Sequence, residues 1–265
     1  MGYTSRVRRL ASVINWQALL SIAAGLALWE ILSRSGLLPI YLFPGPSLVA
    51  AALYKGLRSG SMLPHLVTTL RHLAIGFACG SLAGLFLAAL CSNVKIADRF
   101  VDPWINATLP LPQFALLPLY LMLFGAREWL PAAVAALGAF YSVFVSLRAG
   151  LLKTDPALLE AARSLGAGKL DVLTNVTLPS ALPYLFVGMH LGALQALRLV
   201  IVVEAVLSMR GMGYMLWMNG ELFRTEQYYA YIVLLAGVGI AMVASFKRLS
   251  VFFVPWTRVQ DIDRI

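Results

Sequence analysis

The sequence predicts an all-α integral membrane protein. Of its 265 residues, 60% are hydrophobic and only 12% are charged, and the mean hydropathy is +0.80. A soluble domain carries about 25% charged residues. The apolar runs are also far longer than the strands of a membrane barrel, which leaves helices as the spanning elements. The length fits a single transmembrane domain, 1–265, of five or six spans, with no room for a second large domain.

Residues 1 to about 15 are a basic, polar start. Arg6, Arg8 and Arg9 precede an apolar run long enough to remain as an anchor, and no small-residue cleavage site follows. Span one covers about 16–32, with Glu30 and Arg34 spaced as a favourable helical pair. In the loop 33–64, Pro44, Gly45 and Pro46 forbid a continuing helix. A short interfacial helix, 47–57, is expected to start with Ser47 as its cap. Span two, about 65–90, repeats small residues at Gly76, Gly80 and Gly84, a spacing that lets helices pack closely in lipid. Cys79 and Cys91 lie on this helix about 18 Å apart, too far for a disulfide between them. After a loop, 91–102, span three is expected over about 104–124, bent by Pro110, Pro112 and Pro118. Span four covers about 129–147.

The polar-rich stretch 155–183 interrupts these spans. Asp155 suits a helix cap and Pro156 the first helical position. A short helix, 157–165, places Leu158, Ala162 and Leu165 on one face. Gly166 and Gly168 fit a left-handed cap and a tight turn. A second short helix, 169–176, is expected to end at Pro179 and Pro183. Two short helices around a glycine cannot bury an apolar stripe alone, and a groove in another protein is the natural receiver. Taken by itself, the same element, with Arg163 and Lys169, also fits a DNA-binding helix-turn-helix or a solvated connection. Its position between membrane spans weighs against both.

Span five covers about 184–207. The segment 208–227 reads as an amphipathic outer loop broken at Gly211 and Gly213, with a helix at 214–223 anchored in the interface by Trp217. Span six covers about 228–246, before a basic tail. With the N-terminus inside, thirteen Lys and Arg fall on the cytoplasmic side. Six (Arg34, Lys55, Arg58, Arg127, Arg210 and Arg224) fall outside. This excess predicts both ends, and the stretch 155–183, in the cytoplasm.

That stretch resembles the cytoplasmic loop of permease subunits of binding-protein-dependent ABC importers. The family carries Glu-Ala-Ala, three residues, Gly, nine residues, an aliphatic residue, one residue, then Leu-Pro. Here these are Glu160, Ala161, Ala162, Gly166, Val176, Leu178 and Pro179. The runs around Trp29, Pro112 and Tyr214 are also similar, while Ala126-Arg127 and the last span depart from the pattern. The resemblance covers about 26–240 and is closest to the nitrate, sulfonate and taurine importers. It implies a type I ABC importer permease fold with a coupling loop at about 150–182. Separate ATPase subunits would bind ATP and Mg, and a periplasmic or lipid-anchored substrate-binding protein would deliver the solute. A second permease copy, in a homodimer in the bacterial inner membrane, would complete the assembly. No cofactor is implied in this chain and no nucleic-acid partner.

Three charges fall within expected spans: Arg71, Arg198 and Glu204. Each needs a partner or a wet cavity, because a charge near the bilayer centre costs at least about 2.5 kcal/mol. Two readings stand for them. Arg198 faces a translocation cavity and favours an anionic solute (sulfonate-, nitrate- or bicarbonate-like), with Arg71 and Glu204 also on the path. Alternatively the charges form a structural ion pair, such as Arg71 with Glu204. A stand-alone secondary carrier coupling through Arg198 and Glu204 is the competing class. His65, His72 and His190 lack a carboxylate cluster and read as packing or interfacial residues. Gly166-Ala167-Gly168-Lys169 mimics the end of a phosphate loop, but Arg163 stands where a glycine is required and Leu170 replaces the Ser or Thr. The chain is therefore expected not to be an enzyme, and its energy must come from a partner.

Overall fold

The computed structural model describes residues 16–36, 39, 41–207 and 210–255. The expectations for Arg6, Arg8, Arg9, Arg258 and Arg264 lie outside them. The described residues form helices α1 (Trp16–Arg34), α2 (Pro46–Arg58), α3 (Leu63–Asn93), α4 (Lys95–Thr108), α5 (Leu117–Phe124) and α6 (Leu130–Leu152). They continue with α7 (Pro156–Ser164), α8 (Lys169–Val172), α9 (Leu178–Leu207), α10 (Met212–Glu221) and α11 (Thr225–Phe253). Five helical stretches are long and apolar enough to cross a membrane: α1, α3, α6, Leu170–Leu207 and α11.

The sixth span is a broken one. Helix α4 and the stretch 113–124, a 3-10 turn (Gln113–Leu116) leading into α5, meet at 87°. Pro110 and Pro112 fall in the break, where each removes a backbone donor from the helical ladder, although Leu109 before Pro110 keeps a helical backbone. The prolines thus do more than bend a continuous helix. The expected loop 91–102 is itself helical, as the start of α4. Arg148 on α6 fastens α4 by bonding Asp98 at 2.8 Å and Asp102 at 2.6 Å.

Helix α6 is the centre of the bundle, sandwiched between α3 and α9. The α3 side is the glycine stripe. A Cβ at Gly76, Gly80 or Gly84 would lie 2.5, 2.1 or 2.8 Å from the carbonyl oxygens of Ala132, Ala136 and Phe140. The pairings rise together along both chains, so α3 and α6 run parallel. Helix α9 runs antiparallel, with Gly188 and Gly192 against Ser142 and Ala139. The starts of α3 and α6 and the end of α9 therefore share one end of the bundle. The stretch 153–177 lies at the other.

Two local expectations are corrected. Helix α2 begins at Pro46, one residue early, and Ser47 does not cap it. Glu30 of α1 does so instead, accepting from Ser47 N at 3.0 Å and Ser47 Oγ at 2.7 Å while also pairing with Arg34. A carboxylate suits a helix N-terminus for its electrostatics. The second correction is that Pro179 and Pro183 do not end the helix begun at Lys169. A π turn, Leu173–Thr177, widens it before α9, so the missing proline donor falls where the regular ladder is already interrupted. Ser180 Oγ also donates to Val176 O at 2.7 Å.

Candidate functional site

Asp155 Oδ1 accepts from Ala157 N at 2.9 Å and Pro156 opens α7, as their chemistry predicts. Gly166 is left-handed, with φ +85°, and Ala167 N donates back to Ala162 O at 3.0 Å to close the helix end. Gly168 is not left-handed; its N–H donates to Asp171 Oδ2 at 3.0 Å and so starts α8. Glu160 and Ala161 are exposed on α7, with Ala162 half-buried. Val172 is buried, but three leucines of this element stay uncovered. Leu158 is 52% exposed, Leu165 88% and Leu170 74%. Next to Leu158, a cavity of about 240 Å³ is lined by Asn175, Val176, Pro179 and Ser180. Leu178 and Pro179 form the junction between the π turn and α9.

Arg198 sits in a different place. It lines a cavity of about 420 Å³ between α6, α9 and the broken span, with Gln113, Tyr141, Ser142, Ser146 and Gln195. The guanidinium is exposed and makes no ion pair among the described residues; its one bond, to Gln195 Oε1, is long at 3.5 Å. Much of the wall is apolar, with Leu109, Phe114, Val145 and Leu194, so the guanidinium stands without a counter-charge in a mixed cavity.

Glu204 is 1% exposed and fully bonded. Its carboxylate accepts from Thr69 Oγ1 at 2.7 Å, Gly213 N at 3.2 Å and His72 Nδ1 at 2.8 Å. Thr69 Oγ1 in turn accepts from Met212 N at 2.8 Å. Four elements are tied together here: α3, the end of α9, the turn at Gly211 and the start of α10. Gly211 has φ +114°, and a Cβ on it would fall 2.2 Å from the Glu204 carboxyl carbon, so only glycine fits. Gly213 does not break the helix; it brings α10 against Ile201 O.

The suggested Arg71–Glu204 ion pair is not formed. Arg71 instead pairs with Glu128, in the turn before α6, and both are largely exposed. The hydrogen bond from Arg71 holds the Glu128 carboxyl below the usual carboxylate range. The three spanning charges do not converge: Glu204 borders a cavity with His72, Glu128 and Arg210 at the end away from α7, Arg71 pairs with Glu128 at that end, and Arg198 lies in a cavity of its own. His72 is a partner of Glu204 rather than plain packing, while His190 does pack, against Phe246. Sequence reasoning missed His72, Thr69, Gln113 and Gln195. His72 had one available signal, since it falls in register with Gly76, Gly80 and Gly84.

The family described as the binding-protein-dependent transport system inner membrane component matches residues 80–259. A putative aliphatic sulfonates transport permease protein, SsuC, of Bacillus subtilis (strain 168) is 29% identical over 88% of this chain and 84% of its own. The taurine transport system permease protein TauC of Escherichia coli (strain K12) is 26% identical over 86% and 84%. The crystal structure of an amino acid ABC transporter with histidines superposes at a TM-score of 0.61, with 22% identity, over 77% of this chain and 98% of that one.

Proposed function

Given that the chain belongs to the family of binding-protein-dependent transport system inner membrane components, we propose that it forms half of a path for a small anion and is driven through the loop at 150–182. It is the multi-pass transmembrane permease subunit of an ABC importer. ATP hydrolysis belongs to separate ATPase subunits, and a substrate-binding protein supplies the solute. The second half of the path is a second copy of this chain, in the bacterial inner membrane, with both termini cytoplasmic and the binding protein periplasmic or lipid-anchored. ATP and Mg reside on the ATPase subunits.

The observation that carries the coupling reading is the uncovered apolar stripe on α7 and α8, hinged at a left-handed glycine. Glu160, Ala161, Ala162 and Gly166 form the docking surface, and Leu178 and Pro179 pass its motion to α9. ATP closes the ATPase pair, α7 moves with it, and α6, α9 and the broken span turn the cavity outward. Hydrolysis resets them.

Gly166→Val tests this. A Cβ there meets nothing within 4 Å in this chain, so internal packing is untouched. The left-handed backbone costs a branched residue about 1–2 kcal/mol. The expected result is normal membrane insertion with ATPase subunits that bind poorly or hydrolyse without transport. Wild-type coupling would contradict the docking role.

For the solute, Arg198 without a counter-charge supports an anion, and the relatives named for aliphatic sulfonates and taurine support a sulfonate. Replacing Arg198 by Gln removes a charged donor while keeping an amide. Anion transport should lose roughly 10- to 100-fold in apparent affinity, measured as uptake in vesicles, with insertion and assembly unchanged. Lost assembly would instead identify a structural role. A stand-alone carrier has no supporting observation, because Arg198 and Glu204, which it would couple, occupy separate surroundings.

A further inference from the structure

We propose that the groove between α2, α10 and the start of α11 holds the headgroup of an anionic phospholipid, in the leaflet opposite the coupling loop. This groove has a volume of about 1,200 Å³. Lys55 and Arg58 reach it from α2 and Arg224 from the turn before α11. None of the three makes a side-chain hydrogen bond or ion pair among the described residues. Glu226 is the one acidic residue on its wall. Three cations facing one acid leave a surplus that an anion would neutralise.

The rest of the lining selects the kind of anion. Leu48, Ala52 and Met215 are apolar and contiguous with the cationic rim. Tyr54, at 64% exposure, and Trp217, at 55%, flank the same helices, as aromatic side chains do at the level of lipid headgroups. Helix α2 is itself amphipathic, with Val49 and Gly56 buried and Lys55 and Arg58 exposed, the pattern of a helix lying in the interface. A phosphate with acyl chains satisfies both halves of this lining. An acidic soluble protein would match the cations and leave the apolar wall uncovered.

Arg224 is placed there at a cost. Phe223, just before it, is the one non-glycine residue with positive φ among the described residues, at +53°. Arg224 N donates to Asn219 O at 2.9 Å, closing the end of α10 through a residue that would ordinarily be glycine. Phe223 itself is 67% exposed and precedes the groove-lining Arg224 in the chain. Thr225 Oγ1 donates to Tyr41 O at 2.8 Å and fixes the start of α11 to the segment leading into α2, so both walls are held in place.

The experiment uses the transporter assembled with its ATPase subunits, incubated with phosphatidylglycerol or phosphatidylcholine, with retained lipid counted by native mass spectrometry. The expected result is phosphatidylglycerol retained at least about tenfold over phosphatidylcholine. Lys55→Gln/Arg58→Gln/Arg224→Gln should erase that preference. Arg99→Gln/Lys247→Gln/Arg248→Gln, which removes equal charge elsewhere, should leave it unchanged. If the groove variant does not assemble, Arg224→Gln alone should show a partial loss. Equal retention of the two lipids, or an undiminished preference in the groove variants, would overturn the proposal. So would undiminished lipid retention with lost capture of the binding protein, which would assign the groove to that partner.

Discussion

Glu204→Leu should destabilise the protein by about 3–5 kcal/mol and abolish transport. The carboxylate is buried and serves three donors at once, from Thr69, His72 and Gly213. Removing it strands all three at buried positions, and each buried donor without an acceptor costs about 1–3 kcal/mol. The damage should be local in origin: α10 and the turn at Gly211 lose their hold on α3, while the glycine contacts farther along α3 remain. Glu204→Gln keeps one acceptor and should cost roughly half as much. A second variant separates a lost network from a lost charge. Replacing both Glu204 and His72 by Leu removes donor and acceptor together, so it should be less harmful than the sum of the two single changes. Unfolding in detergent and uptake in vesicles measure both effects. A Glu204→Leu protein that unfolds like wild type would show that the carboxylate does not hold α10.

This network also marks where sequence reasoning reached its limit. A carboxylate inside a span demands a partner, and the demand is legible. With Arg198 on the same helix and facing elsewhere, the sequence alternative named Arg71, the spanning cation on another helix. A helix turns by about 100° per residue, so Arg71 and His72 cannot face the same neighbour. Thr69, His72, Leu73 and Gly76 are the buried positions in the first half of α3, and Arg71 points away toward the turn at Glu128. Reading the glycine stripe one turn further back would have placed His72 inside. The choice between these partners needed helix phase in addition to charge.

Where the controlling chemistry is local, the sequence was explicit. Asp155, Pro156 and Gly166 act on atoms within a few residues of themselves, and each does what its type predicts. The failures came where a distant or subtle partner intervened. Ser47 was expected to cap α2, but Glu30 from another helix supplies the acceptor. Pro179 and Pro183 were expected to stop a helix, but a π turn and the Ser180 hydroxyl absorb the disruption. The 87° break at Pro110 and Pro112 comes with α4 tied to Arg148 on α6, a contact the prolines do not announce. Proline marked the weak point, and the direction of the chain beyond it was set by tertiary contacts.

Gly80→Val should be the most damaging substitution at the interface of α3 and α6 that removes no polar group. A Cβ at this position falls 2.1 Å from Ala136 O and 2.9 Å from Ala136 Cα. The obstacle is backbone, so no rotamer change relieves it; α3 and α6 must move apart. Overpacking of this kind typically costs 1–3 kcal/mol, occasionally more, and here separation also opens the contacts at Gly76 and Gly84. The expected result is a large fall in the yield of monodisperse protein. Gly237→Val on α11 is the matched control, since nothing lies within 4 Å of its Cβ and the change in helix propensity is the same. The comparison bears on mechanism as well as stability. If α3 and α6 act as one rigid body, the movement proposed to enter through α7 must be taken up elsewhere, at the π turn before α9 and at the 87° break before α5. A Gly80→Val protein that kept wild-type yield and uptake would show that α3 and α6 can separate, and the moving surface would then have to include their interface.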